Sequence, residues 1–128
     1  MSRKNRHHRS WDEGSSAVEF AILLPVLVML MLGFIEFGRA LWARTTVQYA
    51  IDEAARYAMI YTTASATQIR DRAFASATGL PAADLTFTVD LSEAGYVSII
   101  GQYNFSPIAG SSFIHAIPLQ TTTRMPRG

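Results

Sequence analysis

The chain has 128 residues, enough for one small domain, with a net charge of +1 and no cysteine. The absence of cysteine excludes disulfides, thiol catalysis and thiolate metal sites. The small net charge hides an uneven distribution of basic and apolar residues, which divides the chain into segments of different character.

Residues 1–14 are polar and basic, and they predict a leader segment rather than part of a fold. A basic segment ahead of an apolar run predicts that the N-terminus stays in the cytoplasm, where anionic lipid favours it. We therefore predict a lipid bilayer, and no nucleic acid, as its partner. His7 and His8 are adjacent and have no third ligand nearby, so we predict no metal site. The basic residues of the leader are Arg3, Lys4, Arg6 and Arg9.

A charge-free run follows the leader. No charged residue lies between Glu19 and Glu36, and most residues between them are Leu, Ile, Val or Phe. This separation is about 26 Å of α-helix, slightly less than the ~30 Å hydrocarbon core of a bilayer. Each carboxylate would lie near a membrane edge, where an ionised group costs less than at the midplane. The run predicts a transmembrane helix over residues 15–38, with a kink at Pro25 that membrane helices tolerate.

The same helix is predicted to continue into the aqueous phase over residues 39–62. Asp52 and Arg56 are four positions apart with the acid first, which predicts an ion pair. Apolar residues recur at steps of three or four and form one stripe on this helix: Val47, Ala50, Ile51, Ala54, Ala58 and Tyr61.

Three residues mark the far edge of the membrane run. Glu36 and Arg39 are three positions apart, and a solvated interfacial pair is their simplest interpretation. A salt bridge or a subunit contact is the alternative. Trp42, together with Tyr49, is well placed to be an interfacial aromatic anchor.

In the second half of the chain, the spacing of apolar residues predicts shorter elements. A short helix is predicted over residues 67–78, with Ile69, Ala73 and Ala77 on its buried side. Gly79 and Pro81 then end the helix.

Alternation of apolar and polar residues next predicts an antiparallel hairpin over residues 85–91 and 96–105. A third strand is predicted over residues 114–124, where Pro118 would confine it to a sheet edge. The tail, residues 125–128, is predicted to be loose. The fold class is therefore α+β: a long N-terminal helix that continues into a small extracytoplasmic domain, residues 39–128, and supplies its apolar partner.

No combination of residues predicts catalysis. His115 stands alone among strand residues, and the glycines are too scattered for a phosphate-binding loop. We therefore predict neither an enzyme nor a cofactor.

The most specific pattern joins the leader to the apolar run, in the sequence GSSAVEF at residues 14–20. It resembles a prepilin peptidase site, in which the cut follows the glycine, here between Gly14 and Ser15. Glycine offers the protease an unobstructed backbone. The resemblance makes Glu19, followed by Phe20, the fifth residue of the mature chain. It also implies that Glu19 meets the N-terminal amine of a neighbouring subunit.

Glu19 also has a physical reason to seek a cation, because a carboxylate beside an apolar run has a desolvation cost. Cleavage would create such a cation at the α-amino group of Ser15. The alternative is an interfacial glutamate that reaches headgroup water and pairs with nothing.

Further residues make the resemblance more specific. Residues 17–21 (AVEFA), Leu24-Pro25, Gly33 and residues 36–38 (EFG) are similar to the TadE-like minor pseudopilins of the tight-adherence (Tad/Flp) pilus system. The similarity covers residues 14 to about 58, and TadF-like relatives share the motif, so the subgroup stays open. The family implies a pilin-like accessory subunit of the bacterial inner membrane that faces the periplasm and serves pilus assembly, adherence and biofilm formation. Implied partners are a prepilin peptidase, other pilin or pseudopilin subunits and the inner-membrane assembly platform.

Two other interpretations stay open. The chain could be a secreted binding module or small enzyme, whose signal peptide is cut near Gly38-Arg39-Ala40. It could also be an uncleaved single-span protein in which Gly14 has no special role. The three interpretations differ in where the mature chain begins and in whether the apolar run is retained.

Overall fold

The computed structural model describes residues 9–108 and 115–128, with side chains from residue 14 onward. Residues 1–8 of the predicted leader lie outside this part, as does Ile114, the predicted start of the third strand. The elements are α1 (Arg9–Ile60), α2 (Ala66–Ser76), β1 (Leu85–Asp90), β2 (Tyr96–Phe105) and β3 (Ile117–Pro126), with a short 3-10 turn at Ala82–Asp84. The predicted α+β fold class is confirmed.

The chain divides into two units, Met1–Ile35 and Glu36–Gly128. In the described part of the first unit, the large apolar side chains are exposed on every side of the helix. None of the most apolar stretch is buried, and its length and composition make α1 a candidate membrane span. A helix that is apolar all round has no polar face to turn towards water, which is the property of a membrane span.

In the second unit, three antiparallel strands form one sheet in the order β1-β2-β3. Leu85 pairs with Tyr103 at one end of the predicted hairpin, which is confirmed. β3 pairs with β2 along its whole length and is an edge strand, as the proline at position 118 predicts. The inward-facing residues of β2 are buried as the alternation requires: Val97, Ile99, Tyr103 and Phe105.

The core lies between the sheet and the apolar stripe of α1. Gly101, in the middle of β2, lies very close to α1: a Cβ there would lie 2.6 Å from Val47 Cγ1 and 2.9 Å from Ile51 Cγ2. A strand glycine at such a site lets another element come near the backbone. The predicted stripe is correct except for Tyr61, which is 55% exposed. α1 ends one residue earlier, and the Tyr61 ring packs on Tyr57 with 4.6 Å between centroids.

α2 begins at a capping box, in which Ser65 and Gln68 exchange side-chain and backbone hydrogen bonds. It buries Ile69 and Ala73 as predicted, and it ends at Ser76. Gly79 follows with a φ of +84°, and the edge of the Trp42 ring lies 3.1 Å from where its Cβ would be. The left-handed backbone and this close ring both favour glycine at that position.

Two further sequence predictions are wrong in this unit. The tail is not loose: β3 runs to Pro126, and Arg127 N donates to Gly95 O at 2.8 Å. The Arg127 guanidinium also donates to the carbonyls of Thr62 and Ala64, the latter at 2.7 Å. These carbonyls lie in the link between α1 and α2, where no helix partner is available to them.

The second is the proposed ion pair of Asp52 with Arg56, which does not form. Asp52 Oδ1 instead accepts hydrogen bonds from Gln48 Nε2 at 3.0 Å and from the Thr123 hydroxyl. A surface pair at this spacing is worth only about 0.3–0.5 kcal/mol, so two hydrogen bonds at the edge of the core displace it.

Candidate functional site

The proposed processing motif lies inside α1. The helix begins at Arg9, so the bond between Gly14 and Ser15 is flanked by helix on both sides. A Cβ at Gly14 would meet no atom of the described residues within 4 Å. Glycine costs helix stability relative to alanine, and packing within the described chain does not require it at position 14. Gly33 and Gly38 share this property, so all three helix glycines face surfaces that are open to another molecule.

Glu19 and Phe20 follow one turn later and are both exposed. Within the part of the chain that the structure describes, the side chain of Glu19 has neither a hydrogen bond nor an ion pair. Ser15 and Glu19 are four residues apart and share one face of the helix. A cut after Gly14 would therefore place a new α-amino group on the face that carries this carboxylate.

The membrane run extends from Phe20 to Ile35 without a charge. Pro25 lies inside α1, and the helix continues on both sides of it. Proline removes one backbone hydrogen bond there, and the kink that it would cause stays a prediction.

Glu36 and Arg39, which are predicted to lie at the membrane edge, form a cluster of contacts with the end of β2. Arg39 Nη1 lies 2.7 Å from Glu36 Oε2, and the Glu36 side chain is only 16% exposed. The other carboxylate oxygen, Oε1, accepts a hydrogen bond from Ile108 N at 2.8 Å. The Arg39 guanidinium lies 5.2 Å from the centre of the Phe105 ring, within the range of a cation–π contact. The pair is thus a salt bridge tied to the end of β2, rather than a freely solvated pair.

Trp42 lies six residues beyond Glu36, about 1.7 helical turns, and is 53% exposed. With Tyr49 it lines an open cleft of about 380 Å³, whose other walls are hydroxyl-bearing residues: Thr45, Thr46, Ser76 and Thr78. An amphipathic ring in this position suits a membrane interface. Its role as an anchor stays a prediction.

A second ion pair joins α1 and α2 within the unit Glu36–Gly128. Arg72 Nη2 donates to Glu53 Oε1 at 2.8 Å, and this contact raises the pKa of Arg72 above its ordinary value. The pair is exposed, so it orients α2 on α1 more than it stabilises the unit.

Sequence reasoning missed the contacts that hold the cluster together. Phe105 and Ile108 are 66 and 72 positions from the α1 residues they meet, Arg39 and Glu36 respectively. No local spacing predicts such contacts. The only available signal was that β2 ends in an aromatic residue, followed by proline at position 107 and an isoleucine.

A comparison with known protein families gives a match, which lies in the N-terminal part of the chain. Residues 14–56 match the family model described as TadE-like protein. The match begins at the glycine of the processing motif and ends four residues before α1 does. No curated protein matches the chain. No solved structure matches it either.

The TadE-like family is structural and is not known for enzymatic activity, and it supports a pseudopilin-type role associated with the Tad pilus. The match confirms the resemblance that the motifs indicated. Over residues 14–56 the chain is similar to TadE-like proteins.

Proposed function

We propose that this chain is a minor pseudopilin-like subunit that a prepilin peptidase processes and that takes part in the assembly of tight-adherence pili. One observation carries the proposal. The TadE-like match starts at Gly14 and covers the whole charge-free run of α1, residues 20–35, whose apolar side chains are exposed on all sides. A helical anchor whose apolar side chains are exposed suits a subunit that works by contact with lipid and with other helices.

The first step is hydrolysis of the peptide bond between Gly14 and Ser15. It releases the basic leader and leaves an ammonium group on Ser15. Glu19 then lies one turn further along the helix, with no cation in the described chain to offset its charge. During assembly its carboxylate pairs with the Ser15 amine of a neighbouring subunit, because both groups gain from a partner where water is scarce.

The second step is retention. The cut falls before the apolar run, so processing leaves the chain in the inner membrane as a single-pass protein. The leader remains cytoplasmic, and the unit Glu36–Gly128 faces the periplasm. Surface adherence and biofilm formation follow from the pilus and not from chemistry in this chain. Its partners are the peptidase, other pilin or pseudopilin subunits and the inner-membrane platform.

The cluster at the membrane edge favours retention over release. A signal-peptide cut near Gly38-Arg39-Ala40 would remove Glu36 and Arg39. The backbone of Ile108 and the ring of Phe105 would then lose the groups that hold them.

The proposal is tested by intact mass and N-terminal sequencing of the protein from its native membrane fraction. We expect a chain that starts at Ser15 and retains residues 20–35. Gly14→Val blocks processing, because a branched side chain obstructs the backbone at the cut. Gly33→Val is the matched control, since a side chain at either glycine meets open space.

Other outcomes separate the alternatives. A soluble chain that starts near Leu41 would indicate a signal peptide and overturn the proposal. An intact Met1 in the presence of active peptidase would leave an uncleaved single-span protein.

Assembly is tested by Glu19→Gln, which keeps the size of the side chain and removes its charge. We expect normal cutting at Gly14 but loss of crosslinks to neighbouring subunits. Glu93→Gln, in the loop between β1 and β2, is the control. Unchanged crosslinking in Glu19→Gln would show that Glu19 pairs with nothing in the assembly.

A further inference from the structure

We propose that Ile108 is a second membrane contact: its side chain enters the headgroup region of the bilayer that α1 spans, on the side of Glu36. The inference rests on the proposed membrane anchoring of α1 and adds a lipid-binding residue outside the TadE-like match, which ends at residue 56.

The position of Ile108 is the first argument. Its backbone N donates to Glu36 Oε1 at 2.8 Å. Glu36 is the residue directly after Ile35, where the charge-free run ends. The carboxylate of Glu36 is expected at the membrane edge, because an ionised group is costly deeper in the bilayer. A residue within one hydrogen bond of that carboxylate is at the same depth.

The segment before Ile108 is firmly held, which is the second argument. Phe105 is 4% exposed, and the Arg39 guanidinium covers its ring. Pro107 is buried as well. Glu36 is fixed in turn by its 2.7 Å contact with Arg39. The backbone at position 108 is therefore located by several independent contacts.

The side chain of Ile108, in contrast, is excluded from the core. It is 73% exposed, the same fraction as Ile60 at the end of α1. A single exposed apolar residue is common on protein surfaces and carries no argument by itself. The difference is location: Ile60 lies 24 residues beyond Glu36, about 36 Å of helix, and Ile108 lies beside Glu36.

Lipid is the occupant that these neighbours favour. Glu36 and Arg39 already neutralise each other, so these two charges next to Ile108 do not resist its burial in the interface. Phe37, the residue after Glu36, is 64% exposed and adds a second apolar side chain near Glu36. Apolar side chains at the headgroup boundary leave water and strengthen membrane binding in proportion to their area.

The absence of cysteine makes the test direct. Ile108→Cys, Ile60→Cys and Leu27→Cys each create one labelling site for a polarity-sensitive nitrobenzoxadiazole dye. The full chain is reconstituted in vesicles of phosphatidylcholine and phosphatidylglycerol. Quenching is measured with iodide in the water and with lipids that carry a spin label near the headgroup. The backbone hydrogen bond of Ile108 does not depend on its side chain, so this variant keeps the cluster.

We expect spin-labelled lipid to quench the dye at position 108, with iodide quenching several-fold weaker than at position 60. The dye at position 27 should show the emission of an apolar environment and should be inaccessible to iodide. If position 108 is as open to iodide as position 60 while position 27 is in lipid, the inference is wrong and the membrane anchor stands. If position 108 is shielded from both quenchers, protein rather than lipid covers it, and the inference is also wrong. If position 27 is open to water, the proposed anchor itself fails.

Discussion

Two stretches of α1, residues 18–35 and 43–58, are both rich in apolar residues but have opposite surroundings. In the first, large side chains such as Leu27 and Phe34 surround the helix and are exposed. In the second, the aliphatic residues form one stripe, are mostly alanine, and are buried, whereas Tyr49 stays exposed. The size and the distribution of apolar residues, more than their number, decide whether a helix suits lipid or a sheet. Four variants or pairs of variants test this difference between the two stretches.

The largest effect is expected from a charge in the first stretch. Leu27→Arg places a guanidinium near the middle of the run, which costs about 2.5–3.5 kcal/mol of insertion free energy. Ile60→Arg is the control: Ile60 is 73% exposed against 51% for Leu27, but it lies outside the apolar run. A surface change of this kind costs within about 0.5 kcal/mol. Carbonate extraction of membranes should release the first variant only, and equal retention of both would contradict a membrane role for the run.

The second prediction concerns the contact of the second stretch with the sheet. Gly101→Ala forces a methyl group against Val47 and Ile51, both of which are branched and cannot move aside easily. We expect a loss of about 2 kcal/mol in the free energy of unfolding. Gly38→Ala should be neutral or stabilising by up to ~1 kcal/mol, because its side chain meets no described atom within 4 Å. Urea unfolding of the full chain in detergent micelles measures both, and equal stability of the two would mean that the sheet does not closely approach α1.

The third prediction compares two threonines of β3 that face α1. Thr121 and Thr123 are 7% and 8% exposed. Thr123 bonds to Gln48 at 2.9 Å and to Asp52, whereas the Thr121 hydroxyl has no hydrogen-bond partner in the described chain. Thr123→Val should destabilise by about 1–3 kcal/mol, because it leaves buried polar groups unpaired. Thr121→Val should stabilise by ~1 kcal/mol. A destabilised Thr121→Val would indicate a partner for that hydroxyl.

The smallest effect is a dependence on pH. Residues 20–35 contain no titratable group. A pH dependence of stability must therefore come from titratable groups elsewhere, such as those of the unit Glu36–Gly128. Ser92 donates to Asp90 through its side chain and its backbone N, the latter at 2.8 Å, and this lowers the pKa of Asp90 below its ordinary 3.8.

The stability that these bonds contribute is complete above pH 3.8 and is lost as the pH falls through the lowered pKa. Melting temperatures of wild type and Asp90→Asn should therefore differ most near neutral pH and converge in acid. A constant difference down to the lowest pH would show that the carboxylate of Asp90 is not the group involved.

Local patterns predict much of this molecule. Apolar residues that recur every second position predict the hairpin, and those that recur every third or fourth position predict the buried stripe of α1. Both patterns depend only on neighbours within a few residues. Pro118 identifies the edge strand for a similar reason, since a missing N–H can be tolerated only there. The processing motif is likewise local, and the family match begins where the motif does.

Contacts across long stretches of chain were beyond such reasoning. The preference of Asp52 for Thr123 over Arg56 depends on which strand covers α1, and 71 residues separate the two partners. The same holds for Ile108 and Glu36, and for Arg127 and the α1–α2 link. In each case the sequence contains the polar groups but not the register that brings them together.

The order of elements along the chain has a consequence for biosynthesis. β3 and Arg127 are made after everything that they cover: Thr121 and Thr123 face α1, and the Arg127 guanidinium binds the carbonyls of Thr62 and Ala64. In the orientation proposed above, the apolar run has by then left the ribosome and met the membrane. The apolar stripe of α1 would then stay uncovered while the rest of the chain is translocated, and the domain would close only after residue 127 has crossed. The proposed function therefore predicts an anchored but open intermediate, on which a chaperone outside the cytoplasm would have time to act.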